Sequence, residues 1–204
     1  MEISMGDFMM TVPVDYQQVA SAPGDPQGSI SFMKKTDLAV CLAQYYAIPA
    51  DMAMPFNSTQ EVIDGIHQAL GPNQGLIEVM SGVTPAGKKY VFTIVKTGNR
   101  PNAPGVQYCL TMQIGFFASR VFYVQGFFDE TGFTGDRDAS VFAILQHDGK
   151  VGPNGEGWMC DPYDPEYKQG LLMNLSEKTD YDGIFPTHPL TEARKLATQI
   201  VQAN

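Results

Sequence analysis

Apolar and polar residues alternate most clearly in the middle of the chain. Every second residue from Val106 to Ile114 is apolar and the residues between them are mostly polar, which predicts a strand with one buried face. Three more runs are rich in β-branched and aromatic residues, namely residues 75–81, 88–97 and 120–128. The connections are too short for βαβ crossovers, so the four runs predict adjacent antiparallel strands.

The first fifty residues predict further strands. Residues 8–12 are short and apolar, residues 29–35 alternate in part, and residues 37–46 are rich in β-branched and aromatic side chains. The stretch SAPGDPQG at residues 21–28 has the glycines and prolines of a turn region. We therefore expect a β-meander ahead of the central strands.

The spacing of apolar residues changes to a helical period in three places. After Pro55, Ser58 and Glu61 form a capping pattern ahead of an apolar face, and Gly71 closes the helix. The other two segments have predicted caps at Thr134 and Thr191. The apolar residues expected to face the core are Val62, Ile63, Ile66 and Leu70 in the first helix, Val141, Leu145 and Phe142 in the second, and Leu196, Ile200 and Val201 in the third.

Length and composition place the chain among globular proteins. It has 204 residues, of which 44% are hydrophobic and 17% charged, far from the composition of disordered chains. This length supports one sizeable core, so we predict a single domain over residues 1–204. A glycine-rich stretch at residues 149–157 divides it into a core (1–148) and a C-terminal extension (149–204) packed on the core.

The charge is acidic and unevenly distributed. The chain has 13 basic and 22 acidic residues, a net charge of −9, and residues 129–182 hold twelve acids against four bases. Such a segment repels phosphate groups, so we expect neither nucleic acid nor an anionic membrane as partner. A basic protein surface is the partner that this charge favours.

The sequence predicts a cytoplasmic protein. Its first residues include the acid Glu2 and lack a basic segment ahead of an apolar one, and no apolar stretch approaches the roughly 20 residues of a membrane span. The cysteines Cys41, Cys109 and Cys160 are odd in number and far apart, which suggests neither a disulfide framework nor a zinc site.

Two short motifs resemble catalytic ones but lie in the wrong context. Residues 82–88 match the first seven positions of a phosphate-binding loop, but Lys89 stands where serine or threonine is needed and a strand pattern follows. We therefore predict a hairpin turn there. Ser31 and Lys34 have the spacing of a serine nucleophile and its lysine, but in a strand they point to opposite faces.

The remaining candidates for chemistry are histidines, an arginine and clustered acids. No histidine belongs to a close ligand pair, so we expect packing or capping roles for His67, His147 and His188. Arg137 stands between two acids that we expect to neutralise it. The acids of the C-terminal segment lack calcium-loop order and predict a solvated face; they are Asp161, Asp164, Glu166, Asp180 and Asp182. We predict no catalytic, cofactor-binding or metal-binding residue and no cofactor.

The order of elements resembles the PsbP-like fold, which the extrinsic photosystem II protein shares with a Ran-binding nuclear import factor. The resemblance rests on residues 90–96 (YVFTIVK), 107–114 (QYCLTMQI) and 121–126 (VFYVQG), followed by the helix through residues 139–145. It covers residues 8–146 and implies an α+β fold built as an α/β/α sandwich, of a kind used mostly for binding and assembly. The tail from Trp158 onward departs from it.

Together these patterns favour a non-catalytic binding or accessory protein that acts through a protein-protein surface, with the acidic C-terminal region as the candidate surface. Two alternatives stay open. One is a hydrolase whose site assembles from carboxylates, His188 or His147, and Arg137. The other is a small-ligand carrier, which would have an apolar cavity lined by tyrosine and phenylalanine.

Overall fold

The computed structural model describes residues 1–5, 8–101, 103, 105–117 and 119–204. Within these residues the fold is mixed α+β, with a seven-stranded antiparallel sheet, a two-stranded sheet and three α-helices. The strands are β1 (Glu2–Met5), β2 (Phe8–Thr11), β3 (Gln17–Val19), β4 (Ile30–Lys35), β5 (Ala39–Pro49), β6 (Gln74–Val83), β7 (Lys89–Thr97), β8 (Gln107–Phe117) and β9 (Arg120–Glu130). The helices are α1 (Thr59–Ala69), α2 (Asp136–His147) and α3 (Pro189–Ala203).

The seven-stranded sheet has the order β3-β4-β5-β9-β8-β7-β6. The predicted run of four adjacent antiparallel strands is confirmed as β6 to β9. Strand β5 pairs with β9 over eleven residues, from Ala39 opposite Glu130 to Pro49 opposite Arg120. This pairing places the early strands β3 to β5 beside the end of the four-strand run.

The N-terminal run at residues 8–12 does not join the main sheet. It forms β2, which pairs with β1 as a separate hairpin. The last residue of the chain holds this hairpin: the Asn204 side chain accepts from the Thr11 N–H at 2.9 Å and donates to the Thr11 carbonyl at 3.0 Å. An amide side chain thus pairs with Thr11 as a neighbouring strand would.

Helices α3 and α1 lie on opposite faces of the sheet. On β7, Phe92 and Ile94 belong to the cluster that α3 completes, whereas Val91 packs with Val62 and Ile63 of α1. Successive residues of a strand point to opposite faces, so these contacts define an α3 face and an α1 face. Helix α1 covers only the β6 and β7 side of its face. No described helix is both long and apolar enough to cross a membrane.

The predicted cap of α1 is confirmed and that of α2 is wrong. The Ser58 side chain accepts from the Glu61 N–H, as the capping pattern predicts. Helix α2 follows Gly135, which has a left-handed φ of 78°, and Thr134 makes no cap. Glycine adopts this conformation without steric cost. Gly135 therefore takes the N-cap position, one residue later than the predicted cap.

The predicted cap of α3 is also wrong. His188 precedes the helix, and its Nδ1 accepts from the Leu190 N–H at 3.3 Å. Pro189 occupies the first helical position, where its fixed φ favours helix initiation. Thr191 therefore lies inside the first turn.

Helix α2 packs on the C-terminal segment, residues 149–188, rather than on the sheet. Val141 and Leu145 form a small cluster with Val151, separate from the main core. Phe142 packs edge to face on Trp158 with ring centroids 5.1 Å apart. The expectation that Val141, Leu145 and Phe142 face the main core is therefore wrong, because the segment following the helix supplies their apolar partners.

The C-terminal segment then runs along the outer edge of β6. The Tyr163 hydroxyl accepts from the Val79 N–H at 2.6 Å and donates to the Val79 carbonyl at 3.2 Å, and the Leu171 N–H donates to the Gln74 carbonyl. These contacts satisfy backbone groups that an edge strand otherwise exposes.

Candidate functional site

A cluster of charged side chains joins the C-terminal segment to the sheet. Arg137, which is 1% exposed, donates to the backbone carbonyls of Ser176 and Lys178 and to Thr191 Oγ1. Its ion-pair partner is Asp182 at 3.0 Å. The expectation that flanking acids neutralise Arg137 is wrong, because the pairing acid comes from 45 residues later in the chain.

The two acids that flank Arg137 bind other groups. Asp138 accepts from the Ser176 hydroxyl and from the Asn174 side-chain amide, and Asp136 accepts from the Ser140 hydroxyl. Both acids lie in the first turn of α2, where the positive end of the helix dipole stabilises negative charge. Asp138 therefore ties α2 to the C-terminal segment, and Asp136 forms a hydrogen bond within α2.

Glu177 occupies the deepest part of the cluster. Its carboxylate accepts from Lys96 Nζ at 2.7 Å, from the Tyr108 hydroxyl at 2.9 Å and from the Asn174 N–H at 2.7 Å. Burial, with the neighbouring Glu177 carboxylate, raises the pKa of Tyr108 well above its ordinary value. The hydroxyl is therefore a permanent donor at neutral pH, and Lys96 and Tyr108 hold the segment on β7 and β8.

A second arginine extends the cluster into α3. Arg194 Nε donates to Glu78 of β6 at 2.7 Å, and Nη1 contacts both oxygens of Asp182 at 2.9 and 3.1 Å. Its Nη2 donates to the Glu177 carbonyl at 2.8 Å. Asp182 thus bridges Arg137 and Arg194, and both guanidinium groups are engaged by acceptors of the same chain.

The structure brings His188 close to this cluster but not as a base. Burial, with the nearby guanidinium groups of Arg137 and Arg194, lowers the pKa of His188 to about 3. Its Nε2 lies 3.9 Å from Glu130, whose carboxylate accepts from the Val106 and Gly135 N–H groups. A general base works best with a pKa near the working pH, and the pKa of His188 lies well below neutral pH. The neutral imidazole instead caps α3.

The other two histidines lie elsewhere. His67 Nε2 is 2.9 Å from Asp161 Oδ2, and the imidazole stacks on Tyr167 with ring centroids 4.1 Å apart. This contact ties the C-terminal segment to α1. His147 is exposed at the end of α2. Among the described residues, no group of three or more histidine, cysteine, aspartate or glutamate side chains is arranged to hold a metal ion.

The two misleading motifs have the structures that their contexts predict. Residues 82–88 form the last two residues of β6 and the turn to β7, with the Thr84 N–H donating to the Lys88 carbonyl. Ser31 and Lys34 lie on opposite faces of β4: Ser31 contacts Gln44, whereas Lys34 pairs with Glu192. Both predictions are confirmed.

Most of the acids in residues 129–182 are engaged within the molecule rather than forming one solvated face. Seven of the twelve are buried or half-buried and bind basic side chains, backbone N–H groups or side-chain donors; they are Asp129, Glu130, Asp136, Asp138, Asp161, Glu177 and Asp182. The exposed acids are Asp148, Glu156, Asp164, Glu166 and Asp180. The negative electrostatic potential that this segment presents to a partner is therefore weaker than its excess of acidic residues implies.

A different surface is built on the α1 face, beside α1. On β5, β9 and β8 eight side chains of this face are only half-buried, and none of the eight belongs to the three core clusters. We call these eight the open strip: Val40, Leu42, Tyr46, Cys109, Thr111, Tyr123, Gln125 and Phe127. The same face also carries the buried Gln44, Gln113 and Val121 and the half-buried Gln107 and Asp129. Strand register places Leu42 opposite Phe127 and Phe127 opposite Cys109, so the apolar members are neighbours across three strands.

The middle of the open strip is polar and internally hydrogen-bonded. The Tyr123 hydroxyl donates to Gln125 Oε1 at 3.1 Å, and Gln125 Nε2 donates to Thr111 Oγ1 at 3.3 Å. Tyr46 lies against Tyr123 with ring centroids 4.8 Å apart. Burial, with the neighbouring Tyr123, raises the pKa of Tyr46, so both rings present neutral hydroxyls. The strip therefore carries no ionised side chain at neutral pH, and the Asp129–Arg100 ion pair lies at its end.

The flank of α1 that faces the open strip consists of small residues. His67 points to the β6 edge, where it meets Asp161 and Tyr167. At 100° per residue, Gly65 and Ala69 lie about 160° around the helix from His67, toward β8. Both are exposed, and a Cβ added at Gly65 would meet nothing within 4 Å.

Sequence reasoning did not identify the open strip. Strand β5 has apolar residues on both faces, which is the pattern of a strand covered on both sides. Among the described residues, no helix covers the α1 face over β5, β9 and β8. This is seen only from the register of these strands and the position of α1. The apolar composition of Val40, Leu42 and Tyr46 was the one sequence feature that pointed to a second face in need of a partner.

Comparison with protein-family models finds no match to this chain. Comparison with curated protein sequences also finds none.

Proposed function

We propose that this protein is a non-catalytic binding protein that recognises a protein partner through the open strip. The observation that carries the proposal is the open strip across β5, β9 and β8, whose apolar residues adjoin one another at Leu42, Phe127 and Cys109 and which no described helix covers. Sheets bury an apolar face against another layer, and larger uncovered apolar patches on soluble proteins mark interaction sites.

The acidic C-terminal region is a weaker candidate surface than the sequence suggested. Glu177 holds the segment on the sheet through Lys96, and Asp182 holds it on α2 and α3 through Arg137 and Arg194. The net charge of −9 still favours a partner with basic residues, which accelerates association at low salt. We therefore propose a basic protein partner whose affinity derives mainly from apolar contact.

The hydrolase alternative gains less support from the geometry. Arg137 and His188 do approach each other, but the arginine has four acceptors of its own chain and burial keeps the imidazole neutral. For the ligand-carrier alternative, the fully buried aromatic residues Phe32, Tyr45 and Phe122 pack on one another in the α3 face. These aromatic side chains act as core residues.

We also propose the PsbP-like α/β/α arrangement as the finer description of the fold, and the cytoplasm as the location. Helices on opposite faces of one antiparallel sheet support the first proposal, although α2 packs on the C-terminal segment. The free thiols Cys41, Cys109 and Cys160 support the second, because reducing compartments keep thiols free.

Capture from host cells with matched variants tests the binding function. The tagged protein, Leu42→Lys and Ile144→Lys would be used as baits, since Leu42 lies in the open strip and Ile144 is 53% exposed on α2. We expect the wild type and Ile144→Lys to retain a stoichiometric partner in 0.5 M salt, roughly a 4 Å Debye length, and Leu42→Lys to lose it. A partner that salt removes, or that Leu42→Lys retains, contradicts the proposal.

A further inference from the structure

The space beside α1 has the dimensions of one helix. Helix α1 lies over β6 and β7, and packed helices are about 8–10 Å apart. Neighbouring strands are about 4.8 Å apart, so a second helix beside α1 has its axis two strands away, over β8 and β9. That is where the open strip lies.

Loops bound this space on two other sides. On the β4 side, Asp25 accepts from the Gln44 side chain at 2.8 Å. At one end of β8, the Met54 N–H donates to Gln113 at 2.7 Å. The floor between Tyr123 and Asp129 extends over six residues of β9, or about 20 Å, which is the length of a helix of about 13 residues.

The wall formed by α1 allows close approach. Gly65 and Ala69 are four residues apart on the exposed flank, and small residues at this spacing let two helices approach closely. The outward side of α1 carries the exposed acids Glu61 and Asp64. A helix beside α1 therefore finds a floor that is apolar at Leu42, Cys109 and Phe127 and polar at Thr111 and Gln125, a small-residue wall and a negative rim.

We propose that the occupant of the open strip is a single amphipathic helix of the partner, about 13 residues long and basic on its polar face. This inference rests on the proposed binding function and specifies its partner. The apolar face lies on Leu42, Cys109 and Phe127, and the basic face is directed toward Glu61 and solvent. A contact this small lies below a standard interface of about 800 Å² per partner, so we expect the helix as an isolated peptide to bind with a dissociation constant in the micromolar range.

A displayed library of random 18-residue peptides tests the chemistry of the occupant. The library is selected on the wild-type protein after depletion on Phe127→Lys, which places a charge in the open strip. We expect the enriched peptides to have apolar residues at helical spacing (i, i+3 or i+4, i+7) and an excess of lysine and arginine.

Substitutions at Gly65 then test the position of the helix. Gly65→Gln fills the wall of the space, whereas Gly65→Ala adds only a methyl group and Gln68→Ala changes the outward side of α1. All three keep or improve helix propensity. We expect Gly65→Gln to weaken binding of an enriched peptide at least tenfold, and the two controls to change it less than twofold.

The outcomes separate the two proposals. Enriched peptides that need Phe127 but alternate with period two, or that ignore Gly65→Gln, overturn the helix and leave the binding surface intact. A wild-type dimer in light scattering that Phe127→Lys dissociates would assign the strip to a second copy and overturn the helix as well. Selection that yields no peptide dependent on either Phe127 or Leu42 overturns both proposals.

Discussion

Replacing Glu177 by glutamine should destabilise the fold more than most single substitutions. The side chain is 1% exposed, and its carboxylate is the ion-pair partner of Lys96, which is itself 2% exposed. Glutamine keeps the volume and one acceptor oxygen for Tyr108, so the main change is loss of the negative charge. The Lys96 ammonium is then buried without a counter-ion.

The expected cost follows from that uncompensated charge. Removing one partner of a buried ion pair destabilises by about 3–5 kcal/mol. A domain is stable by about 5–15 kcal/mol, so Glu177→Gln should lose a large part of the free energy of unfolding. The double variant Lys96→Met/Glu177→Gln should be more stable than Glu177→Gln, because the buried ammonium is absent.

Urea denaturation of the wild type, Glu177→Gln, Lys96→Met and the double variant measures the effect. Trp158 is the only tryptophan and lies in the C-terminal segment against Phe142, so its fluorescence reports the segment that Glu177 anchors. Circular dichroism reports the sheet in the same samples. A loss below 1 kcal/mol in Glu177→Gln, or a double variant less stable than it, would refute the anchoring role of this pair.

Three further predictions concern other contacts. His188 has a lowered pKa, so the unfolded chain binds a proton between about pH 6.5 and 3 that the folded protein does not; stability is lost as pH falls through this window. His188→Asn should flatten the pH dependence by up to about 1.4 kcal/mol per pH unit in urea titrations, and parallel curves would exclude this role. Tyr163→Phe should lose both contacts to Val79 and cost about 1–2 kcal/mol, with faster amide hydrogen exchange at Val79; unchanged exchange argues against edge protection. Asn204→Ala should remove both hydrogen bonds to Thr11 and speed its amide hydrogen exchange while α3 stays intact. Unchanged protection at Thr11 would show that the Asn204 side chain does not hold the β1–β2 hairpin.

The local elements were predictable from local patterns. The alternation from Val106 to Ile114 predicted β8, and Ser58 with Glu61 predicted the start of α1, because both depend on neighbouring residues only. The turn at residues 82–88 followed from the strand patterns on either side. In each case the deciding interaction lies within a few residues of the chain.

The features that escaped prediction depend on distant residues. The β5–β9 pairing joins segments about eighty residues apart, and no local pattern encodes that register. Arg137 was assigned to its flanking acids because sequence shows only neighbours, whereas the fold brings Asp182 to it. The open strip escaped for the same reason, since its members share a surface only after three strands have paired.

Calorimetry of the captured partner at several temperatures distinguishes apolar from electrostatic binding to the open strip. If apolar contact with the open strip drives binding, the heat capacity change is negative, affinity falls little between 0.1 and 0.5 M salt, and Leu42→Lys abolishes the heat. A heat capacity change near zero with a steep loss of affinity in salt would contradict the account and return the acidic C-terminal region to first place.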